Sequence, residues 1–327
     1  IIKRQTYNMY LIITGGYGFI GSALIRHMLD NTSYQIINID KLTYASNKIN
    51  LKGYETSPRY KFFEIDICDC DSIQSIFNQF SPKGLIHLAA ESHVDRSIDN
   101  PDDFIGTNIY GTYNLLKNSL SYYRNSSESN FIFHHVSTDE VYGDLSKEEP
   151  AFTEKTPYNP SSPYSASKAS SDHLVRAWNR TFKLPTIITN CSNNYGPFQS
   201  IEKFIPLVIT SALNGMNIPI YGDGSQIRDW LYVEDHAKAI LKIFNTRKIG
   251  ETFNIGGNQE KTNLEVVQII CSHLDNLIKE KPNNINSFTD LITFVEDRPG
   301  HDKRYAIDSS KVSKQTGWAP IENFETG

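Results

Sequence analysis

Long apolar runs are missing from this chain, and so are paired cysteines and any block of one charge. Within 327 residues no apolar stretch approaches the ~20 residues of a membrane span, so no membrane partner is expected. The first ten residues are polar and lack the apolar core of a signal peptide. Met9 stands just ahead of the first apolar run, so residues 1–8 read as an extension with no structural role. The four cysteines are Cys68, Cys70, Cys191 and Cys271. None forms Cys-x-x-Cys and no histidine pair has zinc spacing, so the expectation is no metal, reduced thiols and a cytoplasmic protein. Lys and Arg total 32 against 37 Asp and Glu, a net charge of −5 without a basic tract, which argues against nucleic acid as the main partner. The length exceeds one small core and suggests one large domain or two modest ones.

What is present begins with Leu11-Ile12-Ile13, followed by Thr14-Gly15-Gly16-Tyr17-Gly18-Phe19-Ile20-Gly21. Glycines at 16, 18 and 21 satisfy G-x-G-x-x-G, and those at 15, 18 and 21 give a second spacing. Phe19, Ile20, Ala23, Leu24 and Met28 then recur at helical intervals. A strand, a glycine turn and a helix in this order let a pyrophosphate approach the backbone at the helix N-terminus. Gln35–Asp40 reads as a second strand whose terminal Asp40 lies about 20 residues after Gly21, the place for a carboxylate that accepts from a ribose hydroxyl. An aspartate there favours NAD over NADP, because a 2′-phosphate would meet a like charge. Its plainer reading is a strand-end cap.

Further strands are expected at Phe62–Ile67 and Gly84–Ala90, with Asp66 a candidate for the adenine amino group. A helix is expected over Asp71–Phe80 with Asp71 as its cap, and a long one over Pro101–Tyr123. Asn125–Asn130 reads as loop and Phe131–Val136 as a strand. The proline-rich stretch Glu148–Pro163 reads as a loop over the site, followed by a helix from Tyr164 to Phe182 and a strand at Thr186–Thr189. This alternation predicts a doubly wound, mostly parallel α/β sheet. Beyond Asn190 a smaller lobe is expected: loop at Cys191–Pro197, helix Phe204–Leu213, strand Ile218–Tyr221, a glycine-rich polar run to Trp230, helix Val233–Phe244, strand Glu251–Ile255 perhaps rejoining the main sheet, then a helix from Thr262 and a strand Leu291–Val295. His87 and His93 are given no chemistry, since an isolated histidine near a strand is more often structural.

The chemistry sits at Val136-Ser137-Thr138-Asp139-Glu140-Val141-Tyr142-Gly143, at the carboxyl end of a strand, where open α/β sheets bind ligands. Taken alone, Thr-Asp-Glu is more often a solvated turn. Tyr164 and Lys168, four apart on one helix face, change that balance. A phenol is a weak base at neutral pH, and a nearby ammonium favours its phenolate. Such a base can take a hydroxyl proton while the carbon loses hydride. Oxidation alone leaves Asp139 and Glu140 unassigned; elimination of water after oxidation needs a base and an acid, which two carboxylates of different pKa supply.

With these motifs, and with Thr189–Pro197, Ile227–His236 and Arg298–Asp302, the chain from Met9 onward resembles the extended short-chain dehydrogenase/reductases with their Rossmann sheet, and within them the dTDP-glucose 4,6-dehydratases. The resemblance implies NAD as cofactor, dTDP-glucose as substrate and a homodimer joined by the Pro101–Tyr123 and Tyr164–Phe182 helices. It implies catalysis by Thr138, Asp139, Glu140, Tyr164 and Lys168. Tyr164, Lys168 and Thr138 serve the oxidation at C4, Glu140 takes the C5 proton, and Asp139 protonates the departing 6-hydroxyl. The cofactor set is Gly15, Gly18, Phe19, Ile20, Gly21, Asp40, Lys41, Asp66, Ile67, Ala89 and Ala90 with Tyr164 and Lys168. The substrate set is Ser92, Asn190, Lys203, Arg228, Asn263, Arg298 and Tyr305. Residues 1–189 with a returning segment at about 229–257 are expected to form the NAD-binding part, and 190–228 with 258–327 the substrate lobe. Two departures stand out. Gln199-Ser200-Ile201 replaces an aromatic and a proline ahead of Glu202-Lys203, and the chain stops at Gly327 where relatives run on, which suggests a shortened C-terminus. UDP-glucose as substrate stays open, as do 4-epimerisation and a non-catalytic NAD-binding regulator, though an epimerase needs no Asp139–Glu140 pair and a regulator need not keep these groups.

Overall fold

The computed structural model describes residues 9–126, 130–297 and 300–327. The extension at residues 1–8, part of the loop at 125–130, and Arg298 lie outside them. In chain order the first half contains β1 (Tyr10–Thr14), α1 (Phe19–Asn31), β2 (Gln35–Asp40), β3 (Tyr60–Glu64), α2 (Cys70–Phe80), β4 (Gly84–His87), α3 (Val94–Asp99), α4 (Asp102–Phe104), α5 (Thr112–Asn125), β5 (Ile132–Thr138) and α6 (Pro163–Phe182). The second half contains β6 (Thr186–Cys191), β7 (Asn193–Tyr195), α7 (Phe204–Leu213), β8 (Ile218–Tyr221), β9 (Ile227–Tyr232), α8 (Val233–Thr246), β10 (Thr252–Ile255), β11 (Glu260–Thr262), α9 (Asn263–Leu277), β12 (Ile292–Val295) and α10 (Ser310–Thr316).

Seven parallel strands form the main sheet in the order β10-β6-β5-β4-β1-β2-β3. Alternate residues of β1 serve opposite cores, which is why its sequence is apolar throughout. Leu11 and Ile13 pack with Leu24 and Met28 of α1 and Ile240 and Phe244 of α8. Ile12 packs the other way, with Ile76 and Phe77 of α2 and Leu115 and Leu116 of α5. After β1 the chain moves to one side for β2 and β3 and returns on the other for β4, so the order reverses between β1 and β4. The carboxyl ends of strands flanking such a reversal leave a crevice for ligands. A three-stranded sheet β11-β9-β7 and a pair β12-β8 stand apart, around a core that includes Val208, Ile220, Trp230, Val267 and Phe288.

Several elements differ from the sequence expectation. Asp69, not Asp71, caps α2, accepting from the Ser72 N–H at 3.1 Å and from the Ser72 hydroxyl at 2.6 Å. The strands expected to end at Ile67 and Ala90 end at Glu64 and His87. The supposed loop at Cys191–Pro197 contains the end of β6 and all of β7, and the polar run to Trp230 contains most of β9. β9 hides its strand character because Arg228 and Asp229 are buried in it, each satisfied at long range: Arg228 donates to the Asp302 carbonyl, and Asp229 accepts from the Gly257 and Gln259 N–H groups. The single helix expected over Pro101–Tyr123 is α4, a π-helical segment Ile105–Gly111, and α5. The Asn108 carbonyl accepts hydroxyls from both Thr112 and Ser171 at 2.6 Å, which accounts for the widened turn.

Asp235, buried in α8, accepts from the Ile321 and Glu322 N–H groups at 2.7 and 2.8 Å, and its own carbonyl accepts from the Trp318 indole. Asp235→Ala leaves those amides without their anionic partner and should cost about 2–4 kcal/mol, read as a lower denaturant midpoint; an unchanged midpoint would show that the C-terminal segment is held by other contacts.

Candidate active site

The glycine turn is built by backbone contacts that leave no room for side chains. Gly15 has φ 72°, its N–H donates to the Ile39 carbonyl at 2.8 Å, and a Cβ there would meet Ala89 N at 2.7 Å. A Cβ on Gly21 would lie 2.2 Å from the Gly15 carbonyl oxygen. Gly18 caps α1 without a side-chain hydrogen bond, so the first N–H groups of that helix face the crevice with nothing from the chain competing for them. Asn38, a polar residue inside β2, accepts from Gly16 N–H at 3.0 Å and holds the turn against the sheet. The Asp40 carboxylate accepts from Tyr17 N–H, Leu42 N–H and the Ser46 hydroxyl. Such a carboxylate has about four acceptor positions, so Asp40 caps its strand and still retains capacity for a ribose hydroxyl.

These groups open on one cavity of about 290 Å³. It is lined by Gly15, Gly18, Phe19, Ile20, Gly21, Asp40, Lys41, Ile67, Ala89 and Ala90, by Thr138, Asp139, Glu140, Tyr164 and Lys168, and by Ser92 and Lys203, whose Nζ donates to the Ser92 carbonyl at 2.7 Å. Asp66 lies outside the lining, where it pairs with Lys41 at 3.5 Å and accepts from Cys68 N–H. Asn190, Arg228, Asn263 and Tyr305 also lie outside it. Asn190 is fully buried and donates to the Thr138 carbonyl at 3.1 Å. Arg228 stacks over the Tyr305 ring at 4.2 Å, and Tyr305 donates to Asp302. Asn263 opens α9 and donates to Gln226. His87 bridges the hydroxyls of Thr14 and Thr112 and is held neutral by burial.

The catalytic end is organised by two short features. Thr138 ends β5 and caps the 3₁₀ turn Asp139–Tyr142 by accepting from Glu140 N–H at 3.3 Å. Ser162 and Ser165 form a capping box around Pro163, so α6 starts just before Tyr164 and presents Tyr164 and Lys168 on its inner face. Asp139 is 1% exposed and its Oδ2 has no hydrogen-bond partner among the described residues. Burial, then the charges of Glu140 and Asp229, push its carboxyl well above the usual range, which favours its protonated form. Glu140 is only half-buried.

The Lys168 ammonium is anchored on β5. Its Nζ donates to the Val136 carbonyl at 2.9 Å. Burial, followed by the nearby Glu140, Cys191 and Asp139, raises the Tyr164 phenol well above its ordinary value, opposed by a hydrogen bond with Thr138. Tyr164 therefore holds its proton in this structure, and ionising it requires positive charge brought close to the ring.

A family model described as GDP-mannose 4,6 dehydratase matches residues 12–327. A dTDP-glucose 4,6-dehydratase of Haemophilus influenzae is 57% identical over 322 residues, covering 98% of this chain and 95% of the relative. The chain belongs to the dTDP-glucose 4,6-dehydratase family. Among solved structures, the dTDP-glucose 4,6-dehydratase of Streptomyces venezuelae with NAD bound is 39% identical, covers 97% of this chain and 93% of its own, and superposes with a TM-score of 0.87. That of Bacillus anthracis in complex with NAD is 42% identical, covering 98% and 94%, with a TM-score of 0.85.

In this member of the dTDP-glucose 4,6-dehydratase family, sequence reasoning missed a set of residues that tertiary contacts bring to the cavity. Thr107, from the π-helical segment, lines it and accepts from Lys41 Nζ at 3.2 Å. Asn108 clamps the backbone of Glu91 at both its N–H and its carbonyl. Tyr44 lines the mouth, donates to Glu91 at 3.0 Å and lies under the Arg96 guanidinium, which in turn donates to Glu202 at 2.7 Å. No motif marks these positions; only the unusual polarity of Glu91 and Asn108 within apolar surroundings hinted at them.

Because the folded-state pKa of Asp139 lies above its unfolded value, the carboxyl destabilises the fold once the unfolded chain ionises, from about pH 4 upward. Asp139→Asn removes that cost. The variant should melt above the parent at pH 7, with the difference shrinking as pH falls toward about 4; a variant that melts lower at every pH would contradict a protonated Asp139.

Proposed function

We propose that the chain is an NAD-dependent nucleotide-sugar 4,6-dehydratase that converts dTDP-glucose to dTDP-4-keto-6-deoxy-glucose, a step of deoxysugar biosynthesis. The observation that carries this reading is the Asp139–Glu140 pair on the same cavity wall as Tyr164 and Lys168. Dehydrogenation alone has no use for the pair, whereas elimination has. When bound, NAD would supply positive charge beside the Tyr164 ring, a hydride acceptor for C4 and, in its reduced form, a hydride donor for C6. The uncapped N-terminus of α1, the close-packed Gly15–Gly21 turn and the spare acceptor capacity of Asp40 fit its pyrophosphate and ribose, and the small side chains of Ala89 and Ala90 suit its close passage.

Tyr164 Oη takes the proton of the 4-hydroxyl, with Thr138 sharing the hydrogen bond to that oxygen and Lys168 supplying a neighbouring cation. Glu140, half-buried and open to the cavity, removes the proton from C5. Asp139, whose protonated form burial favours, gives its proton to the 6-hydroxyl so that water leaves. Glu140 then returns a proton to C5. We assign the nucleoside diphosphate to Ser92, Asn190, Lys203, Arg228, Asn263, Arg298 and Tyr305; the position of Ser92 and Lys203 on the cavity wall supports the first and third of these. Residues 1–189 with about 229–257 are assigned to the cofactor and 190–228 with 258–327 to the sugar nucleotide.

The protein is further proposed to work as a cytoplasmic homodimer. Exposed Ile105, Tyr110, Tyr113 and Phe182 on α5, α6 and the π-helical segment between α4 and α5 support the pairing. No helix among the described residues is long and apolar enough to cross a membrane.

Glu140→Gln should still oxidise dTDP-glucose in a single turnover, seen as NADH absorbance, but release keto-deoxy product at least about a hundredfold more slowly; full turnover would remove Glu140 from the base role. Assayed in competition, dTDP-glucose should be preferred over UDP-glucose by about tenfold or more in kcat/KM, and equal rates would defeat the substrate assignment.

A further inference from the structure

The face of α6 that bears Tyr164 and Lys168 also carries a buried carboxylate, four residues beyond Lys168. Asp172 is fully buried, and groups from three other elements converge on it. The Tyr158 hydroxyl, from the proline-rich loop, donates to Oδ2 at 2.7 Å, and the Asn190 amide of β6 donates to the same oxygen at 3.2 Å. His135 Nε2 of β5 lies 3.2 Å from Oδ1. The same Asn190 amide donates to the Thr138 carbonyl, so Asp172 is two hydrogen bonds from the catalytic end of β5. A buried carboxylate in contact with three other elements, and itself given no part in the proposed chemistry, is costly unless it has an electrostatic purpose.

The charges around it show what that purpose is. Burial works to raise the Asp172 carboxyl, yet His135, Lys168 and Tyr158 together hold it below its ordinary value. His135 is itself pushed down to about 4 by burial and by Lys168, so it faces Asp172 as a neutral ring. Arg176, on the same helix, reaches the Tyr158 hydroxyl at 2.6 Å, and the Tyr142 phenol faces the carboxylate from the turn after β5. Around Lys168, His87 is neutral, and burial raises the Cys191 thiol to about 12, so that it too is uncharged. Burial lowers Lys168, and Asp172 is the first of the groups that oppose this.

We infer that Asp172 is a positioning residue for the dehydratase reaction, holding Lys168 as an ammonium and, through Asn190, fixing the Thr138 carbonyl. This rests on the reading that Lys168 and Thr138 serve the oxidation step. Its test is the pH dependence of kcat on dTDP-glucose for the parent chain, Asp172→Asn and Asn190→Ala. Asp172→Asn should lower kcat between about tenfold and a hundredfold with KM changed less than about threefold, and move the alkaline limb down by about one pH unit or more. The direction follows because Lys168, without its anion, gives up its proton at lower pH. Asn190→Ala keeps the charge, so it should lower kcat with the limb in place. A folded Asp172→Asn protein whose alkaline limb coincides with the parent's overturns the inference, as does parental kcat in Asn190→Ala. If Asp172→Asn does not accumulate as folded protein, the Asn190→Ala result decides alone. A parent chain inactive on dTDP-glucose overturns the dehydratase reading as well, whereas an active parent with unaffected variants overturns only the role of Asp172.

Discussion

Burying carboxyl groups at the carboxyl end of β5 is the constraint on which the rest of this structure depends. Water would hold Asp139 and Asp172 ionised alike; the folded chain treats them in opposite ways. Asp139 meets other acids and has an oxygen without a partner among the described residues, which favours its protonated form. Asp172 accepts from Tyr158 and Asn190 and feels the charge of Lys168, which together favour its ionised form. The two lie on opposite sides of Thr138, linked to it by a side-chain hydrogen bond and through Asn190 respectively. One strand end thus keeps an acid ready on the cavity side and an anion fixed on the core side.

Rigid positioning of that strand end comes from helix starts and a widened turn more than from the sheet itself. The Ser162–Ser165 capping box fixes where α6 begins and hence which face carries Tyr164, Lys168 and Asp172. The Asn108 carbonyl that would continue a regular helix is taken by the Thr112 and Ser171 hydroxyls, and the Asn108 side chain clamps Glu91 and Ser167. A π-helical segment therefore joins α5, α6 and the loop after β4 behind the cavity, at the cost of poorer helical hydrogen bonding.

Much of the main sheet was legible in the sequence because both its faces are covered. Leu11–Ile13 is apolar without alternation, Ile36, Ile37 and Ile39 mark β2, and the glycine turn between β1 and α1 has no packing alternative. β9 was not legible, because buried Arg228 and Asp229 imitate a surface turn until their partners from residues 257, 259 and 302 arrive. β7 is only three residues long and exists by pairing with β9. The helix expected over Pro101–Tyr123 was right in extent but not in its turns, since hydroxyl donors on a separate helix widen it.

The sequence by itself determined most strands and helices of the main sheet, the phosphate-binding turn, and the residue types available for proton transfer. Those features depend on local spacing and on groups that have no other use in a soluble core. Tertiary structure alone decided the protonation of Asp139 and Tyr164, the partner of Lys168, and the placement of Asn190 beneath Thr138 in place of the cavity wall. Those properties depend on the dielectric and on charges from strands and loops far apart in the chain, which no local pattern of residues encodes.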